Sequence, residues 1–392
     1  MEQMEQWKYI WAQVQSDHRN CPVKAEDTTQ QIKMICPVNG EKIRFHFANY
    51  YGVQDVYLNE VSLTLIKHDR IENPIVKPLT FGGERSINLK MGEGIYCDEL
   101  DEEIHQKDEL VISIYLEKKT MVTSRTSFYS NLFVQTAIHK GNTCHFPVQK
   151  MFVCKPETTV YFLDAAEICS KEKICTVTAF GDSITQQGHW TGALQKLCEE
   201  RTNGHISLYN CGIGGNRLLH DTPQQNIYFQ AFGEAGQKRF EKHVFENSVK
   251  PDVICILEGV NDISHPCYIA PASETVTSKE IIDSYRNLLH VCRKHEVKTV
   301  IATILPFKNY SDGWNPLVER MRQELNEWIR NTKEFDAVVD GDAVMKDSKI
   351  PEMLAKAYDR CDGLHINEEG GRRMAQLFYD KLINIFENCV LS

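Results

Sequence analysis

Four short segments carry residue types that can do chemistry together. The first is Gly181-Asp182-Ser183-Ile184-Thr185. A serine hydroxyl is a poor nucleophile at its own pKa, so Ser183 matters only if a base reaches it from elsewhere in the fold. Gly181 permits the tight turn that presents the hydroxyl; a plain Ser or Asp helix cap is the competing reading. The second, Asn210-Cys211-Gly212-Ile213-Gly214-Gly215-Asn216, can bring glycine N–H groups near a negative charge, or is a simple turn. A dinucleotide-binding loop fails on spacing, because Gly-x-Gly-x-x-Gly needs glycine where Arg217 stands. The third, Glu258-Gly259-Val260-Asn261-Asp262, offers an amide donor, with a capped turn as its plainer reading. The fourth is Asp362-Gly363-Leu364-His365-Ile366-Asn367. Three residues on one loop let the Asp362 carboxylate hold one ring nitrogen of His365 while the other is free to act as a base; a surface or capping histidine is the alternative.

These segments gain weight from the elements that must hold them. Apolar runs at Cys175–Phe180, Ile206–Tyr209, Val253–Leu257, Val297–Ile304 and Ala337–Val339 read as strands. Helical patterns fill the gaps, roughly Trp190–Arg201, Phe229–Asn247, Lys279–His295, Pro316–Asn331 and Glu368–Asn388. Strands apolar on both faces and separated by helices imply a parallel sheet covered on both sides, a three-layer α/β/α domain over 174–392. In such a sheet reactive groups collect at the carboxyl ends of the strands. The first three segments each follow a strand directly, and the fourth lies between the last strand and the final helix.

The region before it has a different rhythm. Ile43, Phe45 and Phe47 alternate with Arg44 and His46, and Val61, Leu63, Leu65 and Leu110, Ile112, Ile114 repeat the pattern. Period-two alternation puts one face of each strand on a core. Turn signals at Asn39-Gly40, Asn73-Pro74 and Gly82-Gly83 separate the runs. Residues 1–166 are therefore expected to be a β-sandwich or jelly roll opened by a short helix, with Glu167 to Lys173 as a polar linker.

Composition narrows the function class. At 392 residues, 42% hydrophobic and 25% charged, the chain has the balance of a folded globular protein of two domains, and no run approaches a membrane span. The net charge of -10 argues against nucleic acid, which is bound by clustered basic surface. The first fourteen residues include Glu2 and Glu5 and lack the basic start and apolar stretch of a secretory signal. Fourteen cysteines without a Cys-x-x-Cys pair read as free thiols in a reducing cytoplasm rather than as a zinc site. No metal or organic cofactor has a visible motif.

The order Gly-Asp-Ser, Asn-x-x-x-x-Gly, Gly-x-Asn-Asp and Asp-x-x-His resembles the four sequence blocks of the SGNH hydrolases, also called GDSL-like lipases and acylhydrolases. The resemblance implies a flavodoxin-like hydrolase domain in which Ser183 is the nucleophile, His365 its base and Asp362 the partner of the base. It also implies an oxyanion hole formed by the N–H groups of Ser183 and Gly215 and by the Asn261 side chain. Ile184 departs from the GDSL spelling without touching an essential position. In the first domain, Lys42 to Asn49 with Gly52, followed by Leu79-Thr80-Phe81-Gly82-Gly83, resembles more loosely the β-domain of a subgroup containing carbohydrate esterases of xylan-degrading systems.

On this basis Asp182 and Asp262 are expected to hold turns rather than react. His189, Trp190 and Arg217 are candidates to line the substrate pocket, set against packing for Trp190 and plain solvation for Arg217. Three functions stand open: an esterase removing small acyl groups such as acetyl from sugars; a lysophospholipase or thioesterase acting on longer acyl chains; and a non-catalytic sugar-binding protein that keeps a hydrolase fold. The first expects a small acylated partner, no nucleic acid and no membrane. The β-domain is a candidate to shape the pocket, bind carbohydrate or build a homo-oligomer.

Overall fold

The computed structural model describes residues 6–69, 73–130, 132, 134–145, 158–202, 205–223 and 227–390. The chain divides into two units, Met1–Ile174 with Cys198–Leu208, and Cys175–Leu197 with Tyr209–Ser392. The second unit thus begins where the sequence changes rhythm, but it gives residues 198–208 to the first.

The first unit is built of strands. Thr28–Ile35, Glu60–Ile66, Ile75–Pro78, Glu109–Leu116 and Val134–Lys140 form a five-stranded antiparallel sheet. Gly40–Ala48 pairs antiparallel with Leu163–Ser170, which in turn pairs with Gln6–Gln13. Ile43, Phe45 and Phe47 meet Ile32, Leu63, Leu65, Leu110 and Ile112 in one buried cluster, while Arg44 and His46 stay partly exposed. Alternation in the sequence is therefore alternation about a core.

Two local expectations are corrected here. The segment expected to open as a short helix is, in its described part, the strand Gln6–Gln13; its backbone partners on 165–170, at residues distant in sequence, decide its conformation. The expected polar linker is strand as far as Ser170. Glu167 is buried there because Arg44 donates to it at 2.9 and 2.8 Å and Tyr96 at 2.7 Å, so its charge is fully partnered.

In the second unit the strands Cys175–Gly181, Val253–Leu257, Lys298–Ala302 and Ala337–Val339 pair in parallel in that order, and strand Ile206–Gly212 belongs to it from Tyr209 onward. Cys175–Gly181 and Val253–Leu257 are buried throughout, as strands covered on both faces must be. The longer helices are His189–Thr202, as far as Leu197, then Gly236–Phe245, Ser278–Lys294, Pro316–Asn331 and Glu368–Val390. Thr277 and Glu280 form a reciprocal capping box at the start of Ser278–Lys294, and Asn315 caps Pro316–Asn331 by accepting from Leu317 and Val318 N–H. The pattern read as one helix over 229–247 is broken: a 3₁₀ turn, Ile227–Phe232, ends at Gly233, whose φ of 74° no continuous right-handed helix can hold. Among the described residues no helix is long and apolar enough to cross a membrane.

Candidate active site

Ser183 is the first residue of a one-turn helix, Ser183–Gln186, separated from strand Cys175–Gly181 by Asp182 alone. Asp182 caps it, its Oδ1 accepting from Ile184 N–H at 2.9 Å. A side chain at 181 would strike the Leu257 carbonyl and the Thr185 hydroxyl, so the turn needs glycine. Thr185 and Gln186 N–H both donate to the Asp182 carbonyl, at 3.2 and 2.9 Å, so Asp182 takes up three of the four N–H groups of this turn.

The opposing loop is shaped by carboxylates. Asp359 Oδ1 accepts from the N–H groups of Cys361, Asp362 and Gly363 at 2.9, 3.2 and 3.0 Å. Gly363 takes a φ of 80° against the Asn309–Tyr310 backbone. Asp362 Oδ1 accepts from Leu364 and His365 N–H at 3.0 and 2.8 Å, leaving Oδ2 for the imidazole. Oδ2 lies 2.8 Å from His365 Nδ1, and His365 Nε2 lies 2.8 Å from Ser183 Oγ. An ionised carboxylate can only accept, so the ring proton sits on Nδ1 and Nε2 is left to accept from the serine hydroxyl. Burial works against the Asp362 charge, but its bonds to the His365 ring and to two backbone N–H groups prevail and hold the carboxyl well below the usual carboxylate range.

The glycine and asparagine segments close in from the other strand ends. Asn210 donates to the Thr185 carbonyl at 2.9 Å and to Thr191 Oγ1 at 3.2 Å, and Gln186 Oε1 accepts from Gly214 N–H at 3.0 Å. Gly215 has a φ of 73° and backs onto the Phe232 ring with no room for a side chain. Gly259, φ 117°, turns the chain into the short helix Val260–Ser264, and from it Asn261 Nδ2 donates to the Asn216 carbonyl at 2.9 Å. One of the two amide protons is thereby fixed, which aims the other. Asp262 accepts from Leu218 and Leu219 N–H at 2.7 and 2.9 Å. Burial raises the carboxyls of Asp182 to about 7, of Asp262 to about 6, and of Glu258 well above the usual range.

The three candidate pocket residues fare differently. Trp190 is fully buried, its ring stacked on Phe378 at 4.3 Å, and belongs to the packing. Arg217 is neither solvated nor open to a ligand: at 1% exposure it donates to Glu274 at 2.7 Å and to the Asp221 carbonyl. His189 is 6% exposed, and burial, helped by the nearby Arg360, pushes its imidazole down to about 4, so it is neutral. Sequence reasoning missed a row of rings from three loops. Phe232, beside Gly215, lies 5.6 Å from His265; His265 lies 5.7 Å from Tyr268, and Tyr268 lies 5.6 Å from Tyr310, which adjoins Gly363. The Tyr310 and Tyr268 hydroxyls are 3.0 Å apart. It also missed Arg239, a buried cation behind the strand ends. Among the described residues no group of three or more His, Cys, Asp or Glu side chains could hold a metal ion, and the twelve cysteines from Cys21 to Cys361, Cys154 aside, are free.

Residues 177–378 match the family model described as GDSL-like Lipase/Acylhydrolase. No curated protein matches the chain. Similar solved structures include an acylhydrolase, termed putative in its description, from Bacteroides fragilis, with 22% identity over 54% of this chain and 87% of that one and a TM-score of 0.39. An acetyl xylan esterase from Geobacillus stearothermophilus shares 19% identity over 54% of this chain and 97% of that one, TM-score 0.39. A psychrotrophic esterase from a Pseudoalteromonas species shares 16% over 54% and 98%, TM-score 0.37. The matched region runs from the strand before Ser183 into the helix after His365, and the chain belongs to the GDSL-like lipase and acylhydrolase family as a carboxylic ester hydrolase.

Proposed function

We propose that the protein removes small acyl groups, acetyl above all, from carbohydrate, through an acyl-enzyme on Ser183. The observation that carries the reading is the unbroken relay from Asp362 through His365 to Ser183, both links 2.8 Å. His365 Nε2 takes the hydroxyl proton as Oγ attacks the ester carbonyl, and Asp362 steadies the imidazolium. The carbonyl oxygen gains negative charge in the tetrahedral intermediate. Three donors hold it: the N–H groups of Ser183 and Gly215 and the free amide proton of Asn261. Collapse expels the sugar hydroxyl, which receives the proton from His365. Water then attacks the acyl-enzyme, with His365 again as base, and carboxylate leaves.

The sugar half rests on the rings. Phe232, Tyr268 and Tyr310 are all partly exposed; each offers a flat apolar face, and the two tyrosines add a hydroxyl. Pyranose rings, with apolar C–H faces and hydroxyl rims, suit such walls better than a fatty chain does. The loose sequence resemblance of Lys42 to Gly83 to the β-domain of carbohydrate esterases favours the same reading. The test is a p-nitrophenyl ester series from acetyl to palmitoyl beside acetylated xylo-oligosaccharides, with Ser183→Ala as control. Highest kcat/KM on acetyl esters, with acetate released from the oligosaccharides, is expected; an optimum at long chains refutes the substrate assignment, and full activity in Ser183→Ala refutes the mechanism.

A further inference from the structure

Arg239 lies on helix Gly236–Phe245, outside every sequence block, and is 1% exposed. Its guanidinium reaches three of the four segments at once. Nη2 donates to the Gly181 carbonyl at 3.0 Å, two residues before the nucleophile. Nη1 donates to the Cys211 carbonyl at 3.0 Å and approaches the Cys211 sulfur at 3.7 Å. Nε donates to Asn216 Oδ1 at 2.7 Å. The same head stands 3.7 Å from Glu258 Oε2 and 4.2 Å from the Phe180 ring centroid. A planar fork of five donors can meet this many acceptors in fixed directions; an ammonium cannot.

The Asn216 link leads to the reacting centre. Asn216 is locked on both sides of its amide, accepting from Arg239 and donating to the Phe232 and Glu234 carbonyls, each at 2.7 Å. Its own carbonyl is the acceptor that orients Asn261 Nδ2. Its N–H adjoins Gly215, the other backbone donor of the hole. Arg239 therefore fixes the acceptor that aims Asn261, and through Gly181 and Cys211 it fixes the ends of the strands that carry Ser183 and Gly215. Helix Gly236–Phe245 is tied to the same place by Gly236 N–H to the Arg217 carbonyl at 2.7 Å and Gln237 N–H to the Leu218 carbonyl at 3.0 Å.

We infer that Arg239 is the positioning residue of the oxyanion hole: by holding the Gly181 and Cys211 carbonyls and the Asn216 side chain, it sets the direction of the Asn261 donor before substrate arrives. Electrostatic stabilisation depends on donors that are aimed in advance and need no reorganisation. Arg239 touches no reacting atom, so its loss acts on turnover and not on substrate binding. The inference rests on the esterase reading above.

The experiment is a double-mutant cycle of Arg239→Lys with Asn261→Ala on p-nitrophenyl acetate. Rates are expressed per serine titrated by a phosphonate ester, so unfolded protein does not count. Arg239→Lys should lower kcat by about 10- to 100-fold, short of the 10²–10³ for outright loss of a donor, with KM changed by less than about threefold. In the Asn261→Ala background the same change should cost less than about threefold, because the donor it aims is gone. Full additivity overturns the inference, as does a rise in KM at constant kcat. Should Arg239→Lys yield no titratable serine, Arg239→Gln takes its place in the cycle with the same criteria. An inactive wild type, or one indifferent to Ser183→Ala, overturns the esterase reading instead, and the two failures are told apart by the wild-type and Ser183→Ala rates.

Discussion

Asp362→Asn changes the relay while leaving its shape almost untouched. The two carboxylate oxygens of Asp362 have separate duties: Oδ1 holds the Leu364 and His365 N–H groups, and Oδ2 holds the imidazole. The amide oxygen of asparagine can keep the first duty, so the loop survives. Its NH₂ then faces His365 Nδ1, which must become the acceptor, and the ring proton moves to Nε2. There it points at Ser183 Oγ, 2.8 Å away, and the hydroxyl proton has nowhere to go. In Ser-His-Asp proteases the same change costs about 10⁴ in kcat, close to 5.4 kcal/mol at 1.36 kcal/mol per decade. The Asp362 side chain is 35% exposed, so water softens the effect, and a fall of about 10³ to 10⁴ is expected. Steady-state kinetics on p-nitrophenyl acetate read kcat and KM, and a thermal melt checks the fold. A folded variant with kcat within tenfold of wild type would refute the tautomer argument.

Asn261→Ala should raise the barrier by about 3 kcal/mol with little change in KM. It should also cost about 1 to 3 kcal/mol of stability in a denaturant titration, since the Asn216 carbonyl loses a buried donor; a raised KM at full kcat contradicts the role. Gly215→Ala adds a side chain at φ 73° against the Phe232 ring, and should lose more than about 1 kcal/mol in the same titration together with most of kcat. Asp182, raised to about 7 by burial, keeps its proton in the folded state between the unfolded value of about 3.9 and that pH. The unfolded chain binds fewer protons across this window, so the contribution of Asp182 to stability falls as pH rises. The melting temperature of Asp182→Asn should therefore gain on that of the wild type from pH 4 to pH 7; a constant difference shows that Asp182 does not titrate there.

What was legible in the sequence follows from periodicity and spacing. Strands buried on both faces announce themselves as unbroken apolar runs, and the carboxyl-edge rule then marks the segments at 181, 210, 258 and 362. His365 and Asp362 were readable because they are near neighbours on one loop. The helices Ser183–Gln186, Val260–Ser264 and Gly341–Met345 were not, being too short for a 3.6-residue period to register. Gly233 could have betrayed the break in the pattern over 229–247, whereas the strand Gln6–Gln13 is decided by partners some 160 residues away. Arg239 left no local signal at all. An arginine on an amphipathic helix reads as a solvated charge, and only the backbone carbonyls converging on it explain its burial. Phe232, Tyr268 and Tyr310 are scattered over loops and become neighbours only through the fold.

The relay joins residues 182 positions apart, so the nucleophile is made well before its base. At roughly 5–20 residues per second, a ribosome spends about 9 to 36 seconds between the two. Throughout that interval Ser183 is an ordinary alcohol, however well the sheet beside it has folded, because the imidazole and the carboxylate that activate it arrive together on one loop just ahead of the final helix. The growing chain thus carries an inert serine until that loop has been made and has docked.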